Sequence, residues 1–116
     1  MHDRTMTQMD NWLAAQKQAC LARQAALQSD GRQDEAVFQR IRANVFDMAL
    51  AIWHAAAKQE SPAEFFSRRM EQIPATWLAA REKALALQDT VQAHIEKIKL
   101  DAAEEIRAAF RQIWSE

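Results

Sequence analysis

With 49% hydrophobic and 27% charged residues, this chain of 116 residues has the composition of a folded domain and is too apolar for intrinsic disorder. The formal net charge is −1, which excludes a general electrostatic attraction to nucleic acid or to an anionic membrane. One glycine and two prolines leave little material for strands or long loops. We therefore expect a single all-α domain over residues 1–116, a small helical bundle of four main helices plus one short helix.

The first predicted helix spans residues 7–29 and follows a flexible arm at residues 1–6. Asp30 and Gly31 end this helix, because glycine readily adopts the left-handed conformation that closes a helix. The short connection predicts that the next helix packs antiparallel to the first. Apolar residues recur every seven positions and form one stripe along the helix: Met6, Leu13, Cys20 and Leu27.

The second predicted helix spans residues 34–58 and is the most apolar segment of the chain. Nearly every residue from 43 to 57 is apolar, apart from one line of polar side chains at steps of three and four. A helix with so narrow a polar edge is expected at the centre of the bundle or at an interface between subunits. The polar members of this line are Asn44, Asp47, His54 and Lys58, and the small Ala51 lies between them.

A short third helix is predicted over residues 62–72. The sequence Ser-Pro-Ala-Glu at positions 61–64 combines a serine N-cap, a proline at the first helical position and a glutamate at the third. Pro74 opposes a continuous helical backbone, so it either starts another helix, over residues 74–88, or kinks this one.

A break near Asp89 separates the last predicted helix, at residues 90–114, from the segment before it. Without this break the C-terminal segment would be a helix of about 64 Å, against about 35–40 Å for each of the first two helices. Asp89 as N-cap, with Gln92 at the third position, satisfies exposed amides at such a break. The inner face of this helix is predicted to comprise Val91, Ile95, Ile98, Ala102, Ile106, Ala109 and Ile113, with Phe110 and Trp114 beside them.

No residue is predicted to be catalytic, to bind a cofactor or to ligate a metal, so we expect no enzyme and no cofactor. No histidine has a carboxylate at the spacing that a metal site in a helical bundle requires. Cys20 lies in the apolar stripe and is interpreted as a core residue. One glycine excludes the Gly-rich phosphate-binding loops. A small helical enzyme comparable to chorismate mutase is the catalytic alternative, with cations from Arg42, Arg69, Arg81, Lys97 and Arg107.

The expected partners and compartment follow from the same residues. A single cysteine excludes an internal disulfide and favours the cytoplasm, and no secretory signal pattern is found near the N-terminus. The longest uncharged apolar stretch, residues 48–57, is shorter than the roughly 20 residues of a membrane span, so no membrane association is expected. No nucleic-acid partner is expected, because residues 62–72 and the segment after Pro74 lack the turn of a helix–turn–helix motif.

Four tryptophans and five phenylalanines are a large aromatic load for a bundle of this size. Most are expected in the core, whereas Phe110 and Trp114, near a helix end, are predicted to form an interaction surface. The predicted function is a non-catalytic protein-interaction or assembly module that binds an unknown protein or a second copy in a homodimer. The alternative is a bundle that binds a small molecule, or a small helical enzyme.

Three segments, taken together, carry a resemblance to a known group of proteins. They are Ile-Arg-Ala-Asn-Val-Phe-Asp at 41–47, Ile-Pro-Ala-Thr-Trp at 73–77 and Ile-Glu-Lys-Ile-Lys-Leu-Asp-Ala-Ala-Glu at 95–104. Their order and spacing resemble short uncharacterised all-helical proteins of clostridial and related gut bacteria. The resemblance implies a bacterial helical protein with no assigned activity, and it supports the break near Asp89.

Overall fold

The computed structural model describes residues 3–114, which form four α-helices and no strand. The all-α prediction is confirmed. The helices are α1 (Asp3–Ser29), α2 (Gln33–Ala56), α3 (Pro62–Ala86) and α4 (Thr90–Trp114). The additional short helix is not observed. The start of α1 at Asp3 also shortens the predicted arm, whose residues 1 and 2 lie outside the described residues.

A glycine turn joins α1 to α2, as predicted. Gly31 has a φ of 75°, and its N–H donates to the Gln28 carbonyl at 3.1 Å. The Arg32 N–H donates to the Leu27 carbonyl at 2.9 Å. This pair of hydrogen bonds is a Schellman motif, which satisfies carbonyls at the end of a helix and reverses the chain.

The predicted helices at 62–72 and 74–88 are one continuous helix, and the boundary at Pro74 was wrong. Pro74 is buried inside α3, where it has no N–H to donate to the Met70 carbonyl one turn earlier. The side chain of Arg107 on α4 contacts this carbonyl instead, with Nη1 at 3.5 Å. Tertiary packing therefore compensates for the missing backbone bond. Ser61 is the N-cap of α3, but its side chain makes no capping hydrogen bond.

The break before α4 is confirmed, and it has the same motif as the first turn. The Gln88 N–H donates to the Leu85 carbonyl at 3.1 Å, and the Asp89 N–H donates to the Ala84 carbonyl at 2.8 Å. Gln88 takes the left-handed conformation, with a φ of 60°, at the position that Gly31 has in the other turn. The Asp89 carboxylate then accepts a hydrogen bond from the Gln92 N–H at 3.0 Å and caps α4.

The helices pack in two layers, with α2 and α4 at the centre. Each of these two helices contacts all three others, whereas α1 and α3 make no contact within residues 3–114. The extents of 47 × 35 × 20 Å correspond to about two helix diameters in the thinnest direction. The central position predicted for α2 is confirmed, and α1 and α3 are edge helices.

Large aromatic side chains fill one end of the bundle, which we call the aromatic end. Trp53 is 1% exposed there and makes edge-on contacts with Phe66 and Phe110, at ring-centroid distances of 4.9 and 5.8 Å. The Trp53 Nε1–H donates to the Met6 carbonyl at 3.0 Å, so the start of α1 is held against α2. The opposite end carries the α1–α2 and α3–α4 turns, and we call it the turn end.

The predicted inner face of α4 is correct only in the half nearer the aromatic end. Ala102 and Ile106 are fully buried, but Val91 is 64% exposed. Near the turn end, α4 instead buries Ala93 and the carboxylate side chain of Glu96. The apolar periodicity of α4 therefore continues past the point where other helices cover it.

Candidate interaction surface

The two residues predicted to form an interaction surface lie at the aromatic end. Phe110 is 9% exposed, and its ring centroid lies 5.0 Å from that of Phe66. Trp114 is half-buried, stacks on Phe110 and makes an edge-on contact with Trp53. Both side chains contribute to the aromatic packing. Their role in binding a partner stays a prediction.

Among residues 3–114, α3 carries the two exposed leucines that share one side of a helix. Leu78 and Leu85 are 47% and 50% exposed, and their spacing of seven residues places them on the same side of the helix. The residues between and beside them on this side are also exposed. We call this surface the α3 outer face: Ala75, Leu78, Ala79, Glu82, Leu85 and Ala86.

This face belongs to a wider concentration of exposed apolar side chains. Six large apolar residues of the described chain are exposed, and four of them lie between positions 78 and 91. Leu87, at 70% exposed, and Val91 extend the group around the α3–α4 turn. Single exposed apolar residues are normal on a protein surface, and this concentration makes the region the candidate contact surface among the described residues.

Two oppositely charged side chains follow one another in α3, Glu82 on the α3 outer face and Arg81 at its edge. Glu82 is exposed. Arg81 lies beside it, half-buried, and its Nε atom is buried without a hydrogen-bond acceptor within residues 3–114. A buried guanidinium nitrogen without an acceptor carries a desolvation cost.

A groove of about 440 Å³ opens at the turn end, between the α1–α2 turn and α4. Its volume is within the range of sites that bind small molecules. Phe38 lies in this groove against His94, with ring centroids 4.7 Å apart. The residues that line the groove are Leu27, Arg32, Glu35, Phe38, Gln39, Arg42, His94, Ile98 and Asp101.

The cations of this groove already have carboxylate partners. Arg42 donates two hydrogen bonds to Glu105 on α4, one of them at 2.8 Å, and these bonds raise the pKa of Arg42. Arg32 donates two hydrogen bonds to Glu35, and they lower the pKa of this carboxyl group. An anionic ligand would therefore compete with two protein carboxylates for the guanidinium groups.

A smaller groove of about 230 Å³ lies between α2, α3 and α4, next to the most buried charge. Glu96 is 3% exposed, and both its oxygens accept hydrogen bonds from Lys99, at 3.2 and 3.3 Å. The Lys99 ammonium lies 5.9 Å from the centre of the Trp77 ring. Because the Lys99 ammonium pairs with the Glu96 carboxylate, this groove is apolar apart from one ion pair.

The other polar residues considered from the sequence are dispersed. His54 and Asp47, on the exposed polar line of α2, pair with Asp10 and Lys17 of α1 at 3.2 and 2.8 Å. Cys20 is buried, as predicted. Within residues 3–114, no three His, Cys, Asp or Glu side chains converge in a way that would hold a metal ion. None of the described helices is both long and apolar enough to cross a lipid bilayer.

The sequence reasoning missed the α3 outer face, although the signal for it was present. Leu78 and Leu85 are seven residues apart in a segment bounded by Pro74 and Asp89. Both leucines lie within the helix predicted at 74–88, but a spacing of seven residues does not show whether that side of the helix is covered or exposed. The aromatic residues then appeared to be the only candidates for a contact surface.

The comparisons with known proteins give no information about the function of this surface. No family model matches the chain, and the searches of curated proteins and of solved structures found no match either. The resemblance to short helical proteins of clostridial and related gut bacteria stays a prediction.

Proposed function

We propose that this protein is a non-catalytic interaction module that associates with a second copy of itself through the α3 outer face. The observation that carries the proposal is the pair of exposed leucines, Leu78 and Leu85, on one side of an edge helix. The outer side of an edge helix normally carries polar residues. Over residues 75–86 it carries two leucines and three alanines around a single glutamate.

Burial of these leucines provides a driving force for association. Fully burying one leucine side chain contributes roughly 1.5–3 kcal/mol, and each leucine of this face already hides about half of its surface. A symmetric dimer buries both leucines of each copy, so four side chains contribute together. The alanines at 75, 79 and 86 let a second helix approach closely, since their side chains are small.

The low net charge favours a second copy as the partner. At −1 per chain, two copies repel one another only weakly, and proteins with little net charge tend to self-associate. The same charge gives little support to a nucleic-acid or membrane partner. We place this activity in the cytoplasm, because the single cysteine is buried and unpaired.

The alternative function, binding or conversion of a small molecule, has weaker support. It would use the groove of about 440 Å³ at the turn end. However, the two arginines in this groove are each engaged by a carboxylate, and binding an anion would first require these pairs to open. The α3 outer face requires no such rearrangement.

Measurement of molecular mass against concentration tests the proposal. Light scattering and sedimentation velocity from micromolar to hundreds of micromolar should show a dimer that dissociates on dilution. Leu78→Gln should raise the dissociation constant at least tenfold, because the substitution removes an apolar contact twice in a symmetric dimer. Helical content by circular dichroism should stay unchanged, because Leu78 is half exposed.

Leu21→Gln is the matched control. Leu21 is a leucine of similar exposure, 36%, but it lies on α1, the other edge helix. This variant should retain the dissociation constant of the original chain. A monomer at every concentration would refute the proposal, as would an equal loss of association in both variants.

A further inference from the structure

We infer that the groove at the turn end binds a small uncharged aromatic molecule. This inference goes beyond the proposed self-association and does not depend on it, because the groove and the α3 outer face have no residue in common. It rests on three features of the groove, namely its apolar side chains, its two rings and its ion pairs.

Apolar side chains from three helices line the groove. Leu27 lies near the end of α1, Phe38 lies in α2 and Ile98 lies in α4, and each of them is only half-buried. The exposed part of each side chain adjoins a space of about 440 Å³, which accommodates a bicyclic aromatic molecule. A ligand there removes apolar surface of three helices from water at once, and this burial is the main favourable contribution to binding.

Two rings in the groove favour a flat ligand. Phe38 and His94 make an edge-on contact, with ring centroids 4.7 Å apart and an angle of 79° between the ring planes. Rings that meet at nearly a right angle offer a third ring one surface to stack on and a second to contact with its edge. Both arrangements are favourable for aromatic groups, and an aliphatic ligand of equal volume would gain only its apolar burial.

The charges around the groove favour an uncharged ligand, because they are paired. Apart from the His94 imidazole, every ionisable side chain that lines the groove belongs to an ion pair. An anionic ligand would compete with a carboxylate for its cation, and a cationic ligand would compete with a cation for its carboxylate. An uncharged molecule leaves the pairs intact. The pairs, with N–O distances of 2.7, 2.8 and 2.9 Å, are Arg32–Glu35, Arg42–Glu105 and Lys97–Asp101.

Indole and two of its charged derivatives test the inference, because the three molecules share one ring system. Indole is uncharged at neutral pH, whereas indole-3-acetate is an anion and tryptamine is a cation. Titration followed by NMR of the Leu27 and Ile98 methyl groups should show saturable shifts with indole and a dissociation constant of about 1 mM or below. Each charged derivative should bind about threefold to fivefold more weakly, which is the range expected when an exposed ion pair is disturbed.

Phe38→Ala and Phe65→Ala are a matched pair of variants. Both substitutions remove a half-buried phenylalanine ring, but Phe65 lies in α3 and outside the groove. Phe38→Ala should weaken indole binding about threefold to tenfold, since it removes one of the two rings. Phe65→Ala should retain the dissociation constant of the original chain. If Phe38→Ala does not fold, the methyl shifts in the original chain still locate the site.

Three results would each overturn the inference. Indole could give no saturable shift of the Leu27 and Ile98 methyl groups, Phe65→Ala could weaken binding as much as Phe38→Ala, or a charged derivative could bind as tightly as indole. The same titration in Leu78→Gln separates this inference from the proposed self-association. Indole should bind this variant with unchanged affinity, whether or not the original chain forms a dimer.

Discussion

The two ends of the bundle are built from the same helices but differ in how completely these helices cover each other. At the aromatic end, Trp53 and Phe66 are almost inaccessible to solvent, and the start of α1 hydrogen-bonds to the Trp53 ring. At the turn end, a groove of about 440 Å³ separates the α1–α2 turn from α4, and Leu87 and Val91 are more than half exposed.

Under the proposed self-association, this difference separates the part of the bundle that provides stability from the part that binds a second copy. The radius of gyration is 15.4 Å, above the roughly 13 Å of a compact domain of about 100 residues, because the four helices do not close into a square bundle. The aromatic end buries the largest side chains. The exposed leucines of α3 lie towards the turn end, where the proposed contact with a second copy would leave the core undisturbed.

The largest expected effect is the loss of stability on truncating the aromatic end. Trp53→Ala should lower the free energy of unfolding by about 3–5 kcal/mol, because it removes a fully buried ring and its hydrogen bond to Met6. Phe38→Ala, in the groove at the turn end, should lower it by only about 1 kcal/mol, since Phe38 is half-buried. Urea denaturation followed by circular dichroism measures both.

Trp53→Phe is the variant to use if Trp53→Ala does not fold. It retains an apolar ring but removes the donor to the Met6 carbonyl, so a loss of about 1–2 kcal/mol is expected. Equal losses for Trp53→Ala and Phe38→Ala would show that the two ends contribute alike. The expected difference in stability between the two ends would then be wrong.

Most of the fold could be predicted from the sequence, because local signals agree with the final packing. Gly31 and Asp89 mark the two turns by backbone conformation and by capping, and both are found where expected. Pro74 was misleading for a physical reason. The cost of a proline within a helix is offset by a contact from Arg107, which lies 33 residues further along the chain.

The candidate surface was harder to predict, because apolar periodicity does not reveal which apolar residues remain uncovered. Val91 continues the same spacing as Ile106, yet Ile106 is fully buried and Val91 is 64% exposed. The angle between packed helices decides where along α4 the neighbouring helices cease to cover it. Phe110 was predicted to contribute to an interaction surface because it lies near a helix end. Its side chain packs against Phe66, and its role in binding a partner stays a prediction.

Substitutions in the two turns should change the free energy of unfolding by intermediate amounts and in opposite directions. Gly31→Ala should destabilise the protein by about 1 kcal/mol, because alanine disfavours a φ of 75°, while no other atom would contact the added methyl group. Gln88→Gly should stabilise it by about 0.5–1 kcal/mol, because it relieves the same strain in the other turn. Thermal and urea unfolding measure both changes.

Gln88→Ala is the control for this pair. It removes the long side chain but retains the strained backbone, so its stability should equal that of the original chain. If Gln88→Gly destabilises the protein and Gln88→Ala does so equally, the glutamine side chain makes a contact that the backbone argument omits.

The smallest expected effect concerns two exposed ion pairs, one near each end of the bundle. Hydrogen bonds from Arg32 lower the pKa of Glu35, and those from Arg107, followed by Arg111, lower the pKa of Glu104. Because these pKa values are lower in the folded state, the pairs stabilise the protein above the ordinary glutamate pKa. This contribution is lost as the pH falls through the folded-state pKa values.

Removing one arginine from each pair should therefore raise the pKa values of the two glutamates by unequal amounts. Arg32→Gln removes the cation that hydrogen-bonds to Glu35, and no other described residue replaces it, so the pKa of Glu35 should return to the ordinary glutamate value. Arg107→Gln should raise the pKa of Glu104 only part of the way, because the Arg111 guanidinium stays 3.5 Å from the carboxylate. Carboxyl carbon chemical shifts followed by NMR between pH 2 and 6 measure both titrations, since that interval brackets the ordinary glutamate pKa of about 4.3. A complete return of Glu104 would show that Arg111 does not interact with it in solution.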